Sequence, residues 1–88
     1  MANFMGGSAA AMASQIAEGF ILINPNTLKG YSGGDLANLK QELEKLVREA
    51  RAVVPPQDDA QANQTRNRRI TRISSAIQTI QNRMSARN

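Results

Sequence analysis

The sequence predicts an all-α protein: an antiparallel, coiled-coil-like helical hairpin with a shorter N-terminal helix, together a small three-helix arrangement. Three observations predict it. Two apolar series, Leu36, Leu39, Leu43, Leu46 and Ile70, Ile73, Ile77, Ile80, Met84, alternate three and four residues apart, which is the a and d spacing of a heptad. A short stretch containing Pro55-Pro56 lies between them, and a short turn between two helices sets them antiparallel. A further stretch places Met12, Ile16, Phe20 and Ile23 at spacings of four, four and three. The chain has 88 residues, the size of one small domain. Its parts are an N-terminal helix with a polar connector over 1–31 and the hairpin over 32–88.

The first helix is expected from about Ser8, a good N-cap residue, to about Ile23. Ala9, Ala13 and Ala17 lie four apart, as do Ala10 and Ser14. That pattern serves either helix propensity or a close helix–helix approach. The four bulky residues Phe20-Ile21-Leu22-Ile23 also fit the start of an extended segment. Asn24-Pro25-Asn26 ends the stretch, since proline cannot continue a helix and Asn tolerates turns. Leu28 and Tyr31 are the expected anchors of the connector on the core.

The second helix is expected to start at Ser32, which has capping-box spacing to Asp35, with Asp in place of the usual Glu. Gly33 and Gly34 weaken that start by about 1 kcal/mol each. The leucine series continues through Ala50 and Val53. Val54, which precedes a proline, is pushed out of the helical region. The third helix is expected from Asp58 or Asp59 toward Arg87. It outlasts the second, so its apolar end from Ile77 to Met84 calls for cover by Met12, Ile16 and Phe20, or by a partner chain.

Composition narrows the chemistry. There is no Cys and no His, so thiolate and imidazole nucleophiles, bases and metal ligands are absent. Acid–base work would fall to seven carboxylates, and the adjacent pair Asp58-Asp59 reads as helix capping. Neither Gly6-Gly7 nor Gly33-Gly34 has phosphate-loop spacing. No enzymatic activity, cofactor, metal or small-molecule substrate is expected. The first eight residues hold no Lys or Arg, unlike a signal peptide's positive start. The run from Ser8 to Ile23 is too short and polar for a bilayer. A cytoplasmic protein without a membrane partner is expected.

Charge is the informative feature. Residues 60–88 carry six arginines and no acid, a charge of +6, against −2 in the rest and +4 overall. On a helical wheel the isoleucine seam lies within about 40° of Arg66, while Arg68, Arg69, Arg72, Arg83 and Arg87 fall between about 200° and about 300°. From Arg68 to Arg87 that flank is about 28 Å long. Arg69 is expected to meet Glu42 across the hairpin. Two glutamates at such positions leave several arginines over. Arg66 lies on the seam, where it either snorkels to water or makes a partner contact.

The function expected is a protein interaction or assembly module that oligomerises or binds a protein partner. Its hydrophobic seam would be Leu36, Leu39, Leu43, Leu46, Ile70, Ile73, Ile77, Ile80 and Met84. Its electrostatic face would be Arg68, Arg69, Arg72, Arg83 and Arg87. The alternative is a small nucleic-acid-binding or regulatory protein, its arginine stripe set against phosphates. The two Phe and one Tyr do not interleave with the arginines, so a base-stacking platform is not expected.

Overall fold

Each helix starts on a side chain the sequence supplies. Ser8, in extended geometry, accepts the N–H of Ala11 at 3.1 Å and opens α1, Ala9–Ala17. Ser32 accepts the N–H of Asp35 at 3.0 Å while the Asp35 carboxylate accepts the N–H of Ser32 at 3.1 Å. This complete capping box opens α2, Gly33–Ala52. Asp59 accepts the N–H of Ala62 at 3.0 Å at the start of α3, Ala60–Ala86. The computed structural model describes Phe4 and residues 7–86, with Ala86 described in its backbone alone. There is no strand among the described residues, and no helix among them is long and apolar enough to cross a membrane.

The three helices pack around one core. Met12, Leu28, Leu36, Leu39, Leu43, Ile73 and Ile80 are fully buried. Ala13, Ile16, Ala17, Tyr31, Val47 and Ala76 complete the cluster. Leu28 and Tyr31 anchor the connector as expected, and Tyr31 donates its hydroxyl to the Met12 sulfur at 3.3 Å. The Phe4 ring meets Tyr31 edge-on at 5.4 Å. Each fully buried Leu or Ile contributes about 1.5–3 kcal/mol by leaving water. That makes this cluster the main source of stability for a chain of this size.

Burial differs from a two-helix seam in a consistent way. Leu36, Leu39, Leu43, Ile73 and Ile80 are buried, while Leu46, Ile70, Ile77 and Met84 are half-buried. Val47 and Ala76, outside the heptad series, are buried as well. Ala76 lies at about 280° on the wheel defined above, within the arginine flank on its seam side. The buried stripe has turned toward α1, which packs on both other helices. Ala13 and Ala17 are fully buried there, so small side chains four apart do sit at the helix contact.

The first helix is shorter than expected. It stops at Ala17, six residues before Ile23. The cause is Gly19, at φ +85°, a left-handed conformation open to glycine and strained for other residues. Its N–H reaches the Ile16 carbonyl at 3.1 Å, and the N–H of Phe20 reaches the Gln15 carbonyl at 2.9 Å. Those two bonds make a Schellman stop. The following residues belong to no helix and no strand, and their burial alternates: Ile21 and Ile23 pack half-buried against the core, while Phe20 and Leu22 are 80% and 82% exposed. Phe20 therefore does not cover the far end of α3, whereas Met12 and Ile16 join the core. The molecule measures 46 × 25 × 19 Å.

Replacing Leu39 with Ala should lower the unfolding free energy by about 2–5 kcal/mol, because a fully buried side chain leaves a cavity. Leu46→Ala, at a half-buried position, should cost less. Denaturant titration followed by circular dichroism measures both, and equal losses would contradict the packing described.

Candidate interaction surface

The arginines of α3 divide by what they touch. Arg66 lies in the second turn of α3, beside the end of α2. Its Nε donates to the carbonyls of Ala50 at 3.0 Å and Val53 at 3.1 Å, and its Nη2 donates to Arg51 at 3.3 Å. The last carbonyls of a helix have no partner within it, and they carry the negative end of its dipole. A guanidinium there supplies both donors and charge. Arg66 thus neither snorkels nor waits for a partner; it caps α2 and fixes the antiparallel hairpin. Asn63, one turn earlier, donates from Nδ2 to the carbonyls of Pro56 and Asp59 at 2.9 Å each and pins the turn.

Two further arginines serve α1. Arg72 donates to the Ala17 carbonyl at 2.7 Å. Arg69 pairs with Glu18, the C-cap residue of α1, and not with Glu42. A carboxylate at a helix C-terminus is unfavourably placed against the dipole, and the Arg69 cation offsets it. The g-to-g rule that suggested Glu42 describes two helices alone; a third helix supplied a different acid. Arg72 also constrains the turn sterically. A Cβ on Gly19 would lie 3.3 Å from the Arg72 Nε, so the backbone passes close under the guanidinium.

The remaining members of the flank are not alike. Arg68 is exposed. Arg83 is half-buried, with its Nε enclosed and lacking a hydrogen-bond partner, beside Pro25 and Thr79. Arg87 lies outside the described residues. Sequence reasoning assigned no stop to Gly19, no ion pair to Glu18 and no surface role to Phe20 and Leu22. Gly19 carried a signal, since glycine just past an apolar helical stretch is a C-terminal stop.

Two apolar pairs stand out at the surface: Phe20 with Leu22, and Val53 with Val54 at 70% and 72% exposure. In a Schellman stop the residue after the glycine often packs back on the helix. Here that residue is Phe20, and the residues it would cover are Ser14 and Gln15, which offer no apolar face. Beside Leu22 lies a pocket of about 230 Å³ lined by Ile16, Ile21, Leu22, Ile23, Ala76 and the small polar residues of α3.

Arg66→Ala should destabilise the fold by about 1–3 kcal/mol, since three carbonyls lose a charged donor. Arg68→Ala, at an exposed position, should change stability by no more than about 0.5 kcal/mol. Thermal and denaturant unfolding of the two variants would separate a capping arginine from a surface one. A similar loss in both would contradict the assignment. No protein-family model, no curated protein and no solved structure matches this chain.

Proposed function

We propose that this chain is a non-enzymatic interaction module of the cytoplasm that binds another protein chain, a partner or a second copy, through its helical faces. The observation that carries the reading is the solvent exposure of Phe20 and Leu22, two bulky apolar side chains on one non-helical segment. Single exposed apolar residues are ordinary, but adjacent large ones facing water mark a contact surface. The half-buried seam residues Leu46, Ile70, Ile77 and Met84 add apolar area that a partner helix would cover further. Binding phosphates along the whole flank is less favoured, because Arg69 and Arg72 already hold the end of α1.

The double variant Phe20→Ser, Leu22→Ser tests the reading, because it removes exposed apolar groups and should leave the melting temperature within a few degrees. Light scattering of the pure protein and affinity capture from its native cell, each with and without nuclease, give the readouts. The expected result is self-association, or capture of a protein insensitive to nuclease, in the parent chain and at least about tenfold weaker in the double variant. A monodisperse folded monomer that retains nothing, or retains material only in a nuclease-sensitive way, would overturn it.

A further inference from the structure

The outer face of α3 carries a second feature. Gln57, Asn63, Gln64, Asn67, Arg68 and Thr71 line an open trough of about 980 Å³. The trough and the apolar pocket beside Leu22 share Thr71 and Arg72, so the two form one continuous surface. From Ala60 to Thr79 it runs about 28 Å along α3. Its charges are Arg68 and Arg72; no acid lines either depression among the described residues. Glu18, two residues before Phe20, is engaged by Arg69.

We infer that this surface receives an acidic segment of a partner protein that carries a bulky apolar side chain at one end. The inference rests on the interaction-module reading and names the chemistry of the partner. Charge complementarity selects the class. A cationic trough with no acid favours carboxylates and repels another copy of this +4 chain. The amides and hydroxyl of Gln57, Gln64, Asn67 and Thr71 suit the alternating donors and acceptors of a peptide backbone. The aliphatic pocket beside Leu22 takes the anchor, with Phe20 exposed next to it.

A nucleic-acid strand fits less well. It carries a charge about every 3.4 Å, so about eight phosphates would lie along this length. Two guanidiniums meet them, and one of those already donates to the Ala17 carbonyl.

The probes are fluorescent peptides of Glu and Ser, about ten residues long so that an extended chain spans the trough. One bears Leu-Phe at its amino end and another at its carboxyl end. A third has Gln for every Glu, and single-stranded DNA of equal charge is the comparison. Fluorescence anisotropy should show one acidic peptide binding the full chain, and weakening as salt rises from about 50 to about 200 mM. Arg68→Gln should weaken it about fivefold, and Leu22→Ser about tenfold or more. Both positions are exposed, and circular dichroism should show both variants folded. Tighter binding of the DNA, equal binding of the Glu and Gln peptides, or indifference to both substitutions would overturn the inference. So would failure of every peptide to bind while capture dependent on Phe20 and Leu22 persists, and that outcome leaves the interaction module standing.

Discussion

The fold depends on guanidinium groups that close the ends of helices other than their own. Arg66 holds the last carbonyls of α2, and Arg72 with Arg69 holds the end of α1. A helix of nine residues is marginal alone, so α1 gains from a cation at its C-terminus and from burial of Ala13, Ile16 and Ala17. The three arginines are spaced three apart on one helix. The longest helix therefore sets the position of both neighbours, and directional hydrogen bonds fix a register that apolar packing leaves looser.

Much of the architecture was legible because its signals are local. Ser8, Ser32 with Asp35, and the prolines at 55 and 56 act on neighbours a few residues away, so the starts of α1 and α2 and the stop of α2 follow from spacing. The heptads located the core because burial and periodicity are one fact seen twice. What failed was tertiary. Val47 and Ala76 are buried only because a third helix lies across the hairpin, and a two-helix heptad has no place for them. The same third helix brings Glu18 to Arg69, a pairing across fifty-one positions of sequence. The end of α1 was misplaced for a different reason. A run of apolar residues continued the helical spacing past Gly19, and the turn chemistry of one glycine outweighed the periodicity.

The surface follows from these internal bonds. Because Gly19 ends the helix under Arg72, the next residues leave it, with alternate side chains buried and exposed. Ile21 and Ile23 serve the core, and Phe20 and Leu22 are what remains. The arginine flank reads as one stripe on a wheel, yet it is mechanically divided. Its middle is absorbed by α1, and Arg68 stays in solvent.

A helix devoid of acids, laid against one whose four acids and four bases cancel, concentrates the net charge of the molecule on one side. Residues 60–88 hold +6 and the remainder −2. At physiological ionic strength such a field reaches about 8 Å from the surface. A negatively charged body arriving by diffusion would be turned before touching, so that the cationic side leads the encounter.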